Sequence, residues 1–202
     1  MNALVVFVLG IVAWAAGQWL DWPLLRLAAK PVPVLALACW TRDARERWLT
    51  AGLLLSAVGD LVMDLGRATP FFLGGMAAFA LAHVAYIAAF VRRSRSPRWL
   101  ALLPFAAWGV VLMQRLWPDL GPLAAPVAIY SALLLVMMWR ALAASLASGR
   151  PDAALGAIVF GISGSLIALD RFDGPVHGAR WLIMATYWTG QLLIARSGRP
   201  DA

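Results

Sequence analysis

Charge is what this chain has least of. Only 13% of its 202 residues are Asp, Glu, Lys or Arg, while 62% are hydrophobic. Soluble domains run to about 25% charged and about 45–50% apolar. The shortage excludes an ordinary water-soluble globule, a disordered chain and a nucleic-acid binder of the usual kind. Cysteine is nearly missing as well: Cys39 stands alone in an apolar run, so an intramolecular disulfide is excluded. Two histidines and no cysteine pair leave no recognisable zinc site. The glycine-containing pieces around Gly74-Gly75 and Gly161–Gly164 follow no strand, so there is no nucleotide fingerprint. No nucleophilic serine elbow is found either. No metal and no cofactor is expected. Residues 3–16 are apolar and end near Ala13-Trp14-Ala15, but no Lys or Arg precedes them, so they read as a retained first span, not a signal peptide.

What the chain does have is long apolar runs, at roughly 3–20, 23–40, 48–66, 71–91, 98–116, 120–145, 153–171 and 178–196. A spanning helix needs about 20 residues, so eight of them use about 160 and leave only short loops. The expectation is an all-α polytopic membrane protein: one transmembrane domain over 1–202, with about eight helices around a polar intramembrane cavity. The breaks carry turn residues, among them Asp21-Trp22-Pro23, Ser96-Pro97, Trp117-Pro118 and Gly174-Pro175. Trp19, Trp22, Trp40, Trp48, Trp99, Trp117 and Trp181 fall near predicted ends, as interfacial tryptophans do. The second run is interrupted by Arg26 and Lys30 and followed by Pro31 and Pro33. It reads as a kinked span or a re-entrant piece. Irregular backbone at membrane depth is tolerated only inside the protein or beside a cavity.

The net charge of +7 comes from short arginine clusters between runs, such as Arg42, Arg45 and Arg47, or Arg92, Arg93, Arg95 and Arg98. Eight spans put both termini on one side. That side carries eleven Lys and Arg residues against six on the other, which predicts both termini in the cytoplasm. The protein is expected in a bacterial inner membrane, with membrane lipid and no nucleic acid as its partner. The sequence leaves the oligomeric state open.

Ionisable groups inside a span are costly and usually face a cavity or a partner. Ser56, Asp60 and Asp64 fall at i, i+4 and i+8 on one face of the third run. A protonated carboxyl beside an ionised one is what acid/base chemistry needs. Asp60 is the catalytic candidate. Asp64 reads either as a substrate contact or as a helix end near water. The fourth run places Phe79, His83, Tyr86 and Phe90 on one face, and His83 is a credible proton carrier or orienter for Asp60. Tyr187 and Gln191 are paired at i, i+4 in the eighth run. The seventh carries Ser163 and, seven residues on, Asp170 on the same face. Such groups either contact substrate or glue helices together. Gly52, Gly59 and Gly66 recur every seven residues and mark close helix packing.

With these residues laid out, the chain resembles the YhhN-like lysoplasmalogenase family of eight-span membrane proteins. The motifs are Lys30-Pro31; Gly52-Leu53-Leu54-Leu55-Ser56 with Gly59-Asp60; Phe72-Leu73-Gly74-Gly75-Met76 with Phe79, His83 and Tyr86; and Gly156-Ala157 through Phe160, Ser163 and Ala168 to Phe172. Ile183-Met184-Ala185-Thr186-Tyr187-Trp188 and Gln191-Leu192-Leu193-Ile194 complete the set. The resemblance implies hydrolysis of the vinyl ether of a lysophospholipid to a fatty aldehyde and a glycerophospho-ethanolamine or -choline. It also implies two catalytic aspartates: Asp60 matches the first, while the second falls on Gly164 after Ser163. Asp170 stands where members often carry Asn, and points about 240° around the helix from position 164. The assignment is Asp60, His83 and Tyr187 as catalytic, with Lys30, Ser56, Asp64, Tyr86, Ser163, Asp170 and Gln191 as substrate contacts. Lys30 would bind the headgroup phosphate or snorkel to the interface. Gly164 leaves open a member that binds or senses single-chain lipids without cleaving them. A third reading is a small transporter whose Asp60 and His83 relay protons.

Overall fold

The computed structural model describes residues 2–66 and 68–199, and the described chain is helical with no strand. Arg67, one of the six residues counted on the outer side, lies outside the described residues. The chain groups into two compact units, one running up to Tyr86 together with Gly198 and Arg199, the other Ile87–Ser197.

The first unit contains α1 (Ala3–Trp19), α2 (Pro23–Ala29), α3 (Val32–Asp43), α4 (Arg47–Asp64) and the first part of α5 (Thr69–Arg93). The Asn2 side chain caps α1 by accepting from Leu4 N at 3.1 Å. Small residues set the packing. Gly10 and Gly17 let α1 approach the next two helices: an added Cβ would lie 2.8 Å from Pro33 Cδ at the first and 2.8 Å from Arg26 N at the second. On α4, Gly52 faces the Tyr86 ring and Gly59 the Phe79 ring, and just past the end of α4 Gly66 faces the Phe71 ring, so α4 and α5 run antiparallel with aromatic side chains seated on heptad-spaced glycines. This is the close packing expected of small residues at helix interfaces in membranes. At the opposite end of α4, Thr41 Oγ1 and Thr50 Oγ1 lie 2.9 Å apart and tie α3 to α4.

The second run is helical on both sides of its interruption. Lys30 and Pro31 keep right-handed helical angles. Lys30 N donates to Arg26 O at 3.1 Å, and Leu35 N donates to Pro31 O at 2.9 Å. The bend follows from Pro31 and Pro33, which have no N–H to offer the carbonyls of Leu27 and Ala29.

The second unit contains the end of α5, a 3₁₀ turn (Trp99–Leu102), α6 (Leu103–Leu120), a second 3₁₀ turn (Gly121–Leu123), α7 (Ala124–Ser148), α8 (Asp152–Ala168), a π-helical turn (Leu169–Asp173) and α9 (Ala179–Arg196). The Trp117-Pro118 break predicted from sequence is absent: α6 runs through Pro118 to Leu120. The chain turns instead at Gly121, whose φ of +49° suits glycine. Gly109 receives Leu135 between α6 and α7, and Gly161 receives Met138 between α7 and α8. The tightest approach is between α8 and α9. There a Cβ on Gly156 would lie 2.7 Å from Ile194 N, and one on Gly190 2.8 Å from Phe160 N.

Four stretches are long and apolar enough to cross a membrane: Pro23–Asp43, Thr69–Arg93, Trp99–Ser148 and Asp152–Asp173. The 50 residues of Trp99–Ser148 would extend about 75 Å as a straight helix, more than twice a bilayer core of about 30 Å. They fold back at Gly121 so that α6 packs on α7, and the expected runs 98–116 and 120–145 both lie within them. α1 is a shorter apolar helix. α4 and α9 hold the runs 48–66 and 178–196, but their polar and charged side chains keep them out of the four. The outward faces are apolar: Val12 of α1 is 58% exposed, Val111 of α6 is 67% exposed, and Trp19, Trp22, Trp99, Trp117 and Trp181 are exposed at helix ends. Faces of this kind mark a membrane surface, and the protein is an all-α integral membrane protein.

Candidate functional site

In the first unit the polar residues of α4 lie along the helix that packs on α5. Ser56 is fully buried and donates its hydroxyl to Gly52 O at 2.9 Å, with Tyr86 Oη 3.5 Å away. One turn on, Asp60 is only 3% exposed. A carboxyl at that burial is retained only with polar company. His83 is fully buried on α5. It sits one turn from Phe79 and one turn from Tyr86, the two rings that seat on α4 glycines, so it belongs to the same stripe. The structure thus brings Ser56 and Tyr86 together between α4 and α5, with Asp60 buried one turn along α4 from Ser56 and His83 buried one turn along α5 from Tyr86.

One further turn along α4, Asp64 Oδ1 accepts from Lys30 Nζ at 2.7 Å. The side chains are 12% exposed for Lys30 and 32% for Asp64. The kink between α2 and α3 is what delivers Lys30 to this position. Lys30 therefore does not simply snorkel to water, and Asp64 is more than a helix end. The two carboxylates at i and i+4 are also made unlike each other: Asp64 is partly exposed against a cation, and Asp60, one turn away, is buried.

In the second unit, Ser163 of α8 is buried and donates to Ile183 O of α9 at 2.9 Å. Tyr187 is buried with its ring edge-on to Phe160, centroids 5.6 Å apart. Gln191, one turn beyond, is fully buried. The contact of Gly156 with Gly190 brings α8 and α9 close enough for these contacts. Gly164 is half-buried, and a Cβ there would meet Leu134 Cδ2 at 3.2 Å. Asp170, seven residues on from Ser163, is exposed in the π-helical turn that starts at Leu169, where its carboxylate accepts from Val176 N at 2.9 Å and closes the turn after the helix.

Arg140 is a residue whose place the sequence did not reveal. It was counted among the interfacial charges, yet it is buried on α7. It donates to Ser94 O, and to Ser96 O at 3.3 Å, and its guanidinium lies 5.4 Å from the Trp139 ring centroid. Trp139 Nε1 in turn reaches Arg98 O at 3.4 Å. Together these contacts clamp the arginine-rich loop onto α7. The available signal was position: Arg140 sits inside the run 120–145, whereas the other arginines of its group flank runs. Among the described residues, no group of three or more His, Cys, Asp or Glu side chains could hold a metal ion.

A family model described as the YhhN family matches residues 25–198. The human protein named lysoplasmalogenase TMEM86B (Homo sapiens) is 34% identical over 189 residues, covering 91% of this chain and 79% of its own. Lysoplasmalogenase TMEM86B of Sus scrofa is 37% identical over 175 residues, covering 83% and 73%. A protein of Mycobacterium tuberculosis named lysoplasmalogenase is 33% identical over 151 residues, covering 71% of this chain and 56% of its own. No solved structure matches the chain significantly.

Proposed function

This chain belongs to the YhhN family, and from that premise we propose that it hydrolyses the vinyl ether bond of lysoplasmalogens within the membrane. The observation that carries the reading is the likeness, over most of the chain, to several proteins named lysoplasmalogenase. The geometry of the first unit supports it. Vinyl ether hydrolysis needs an acid to protonate the β-carbon, the alkene carbon remote from oxygen. It then needs a negative charge beside the oxocarbenium ion that forms, as in glycoside hydrolysis. Asp60 supplies both in sequence. Its carboxyl gives up the proton, and the carboxylate left behind is the counter-ion of the cation just made. Water adds to the α-carbon, its proton passes to Asp60, and the hemiacetal collapses to aldehyde with release of the glycerol hydroxyl. In this reading His83 orients the carboxyl and relays the proton. In this reading Ser56 and Tyr86 supply further polar contacts, and the partly exposed Lys30–Asp64 pair meets the phosphate headgroup.

Purified protein incubated with lysoplasmenyl-ethanolamine should release fatty aldehyde, while the saturated-ether analogue should not react. No aldehyde from the natural sequence would overturn the hydrolase reading. Gly164 favours a second reading, a protein that binds such lipids without cleaving them, because the resemblance implies an aspartate there. That version expects lipid binding with no aldehyde. The orientation proposed with this function puts both termini in the cytoplasm of a bacterial inner membrane.

A further inference from the structure

We propose that the arginine-rich loop between α5 and α6, with the turn that follows it, is a docking surface for the headgroup of an anionic phospholipid. It uses none of the residues assigned to the hydrolase reading and does not depend on that reading.

Three observations carry it. The first is charge. Side-chain contacts join one end of the second unit. Arg93 Nη1 donates to Ser197 Oγ at 2.9 Å and ties the end of α5 to the end of α9. Arg196 lies 3.3 Å and Arg150 3.6 Å from the carboxylate of Asp152 at the start of α8. Arg98 Nη2 donates to Leu146 O of α7 at 3.4 Å. Over the segments 87–102, 140–155 and 190–197, Asp152 is the only acidic residue. Arg92 and Arg95 are exposed, and neither makes a hydrogen bond or ion pair among the described residues. Such an excess of guanidinium groups attracts anionic headgroups, and a guanidinium fits a phosphate through two parallel hydrogen bonds.

The second is what adjoins the charge. Directly after Arg98, Trp99, Leu100 and Leu103 are exposed, Leu100 by 82%. Basic side chains beside exposed aromatic and aliphatic ones form an interfacial lipid contact, in which the cations take phosphate and the apolar groups lie against acyl chains. A soluble polyanion offers nothing to the apolar half. The third is rigidity. Buried Arg140 donates to Ser94 O and Ser96 O, and Trp139 Nε1 donates to Arg98 O. The Trp99 and Trp139 ring centroids are 4.8 Å apart. The loop is therefore held in place before any ligand arrives, which removes the entropy cost of ordering it on binding. Charge that only set the orientation of the chain in the membrane would need no such clamp.

The test is competitive lipid binding to the purified full chain in a neutral detergent, read by native mass spectrometry. The probes are dioleoyl phosphatidylglycerol and dioleoyl phosphatidylcholine at equal concentration. The natural protein should retain phosphatidylglycerol over phosphatidylcholine by about tenfold or more, given about fivefold for each arginine at a membrane surface. Arg92→Gln with Arg95→Gln should lower that ratio by about fivefold or more. Both side chains are exposed and bond to nothing among the described residues, so this variant should keep the fold. Arg171→Gln with Arg180→Gln removes the same charge from the other end of α8 and α9, and should leave the ratio within about twofold. Parity between the two lipids in the natural protein would overturn the proposal. So would an equal loss in the two double variants, since the preference would then be one of net charge. Displacement of phosphatidylglycerol by inorganic phosphate, beyond that by chloride at the same ionic strength, would assign the site to free phosphate and overturn it too.

Discussion

Asp60 and Gly164 divide the catalytic question between them. Asp60 is 3% exposed on a helix whose next polar residue toward the rim, Asp64, is already bonded to Lys30. If Asp60 is both acid and counter-ion, Asp60→Asn should lower aldehyde release by about 10²–10⁴-fold, the range for a general acid. Binding of an alkyl-ether lysolipid should survive. Turnover within tenfold of the natural protein would remove Asp60 from the chemistry. Gly164→Asp tests the other half. A Cβ there meets only the end of the Leu134 side chain at 3.2 Å, which a small rotation relieves, so the variant should fold. With one carboxyl sufficient, it should change turnover by less than about tenfold. A rise of about 10²-fold or more, the scale of one electrostatic stabiliser, would show that the natural chain lacks a needed second charge. Asp170 offers no substitute while its carboxylate closes the turn at Val176, and Asp170→Asn should leave turnover nearly unchanged.

Helix pairs are where glycine matters, and its two uses differ. On α4, Gly59 faces the Phe79 ring, with an added Cβ 2.7 Å from Cδ2. A ring edge can turn aside, at an overpacking cost of about 1–3 kcal/mol. At Gly156 of α8 the obstacles are backbone, Ile194 N at 2.7 Å and Gly190 O at 2.9 Å, and these move only if α8 and α9 separate. Gly156→Ala should therefore lower the thermal midpoint in detergent more than Gly59→Ala does. It should also expose the interface that buries Tyr187 and Gln191. Equal shifts would show that α9 is less firmly seated than the contacts indicate. The heptad of Gly52, Gly59 and Gly66 was legible in the sequence as a packing stripe because a helical repeat needs no tertiary information. The Gly156–Gly190 contact was not, because two isolated glycines on different helices carry no period.

For the whole molecule, the charge distribution should decide orientation in the membrane. Leaving out Arg140, which is buried and holds the loop at Ser94 and Ser96, the count stands at ten Lys and Arg residues on the terminal side against six on the other. A reporter active only in the cytoplasm, fused after Ala202, should be active, and one active only outside should be silent. The opposite result would refute the proposed orientation. Four stretches meet the length and apolarity of a span outright. An eight-pass count further needs α1, an apolar helix of 17 residues, and α4 and α9, whose Asp60 and Gln191 are buried in protein.

Composition and run length alone determined that this is a helical membrane protein. The scarcity of charge and the spacing of Asp60 with Ser56, and of His83 with Tyr86, are properties of one chain segment at a time. The tertiary structure decided what those segments meet. It turned the Lys30-Pro31 interruption into a kink that brings a lysine to Asp64, 34 positions along the chain. It moved the α6 turn from Pro118 to Gly121, and it tied the exposed Asp170 carboxylate to Val176 N. Each of these depends on a bond or a close approach between residues that are neighbours only after folding, and no local periodicity encodes such a partner.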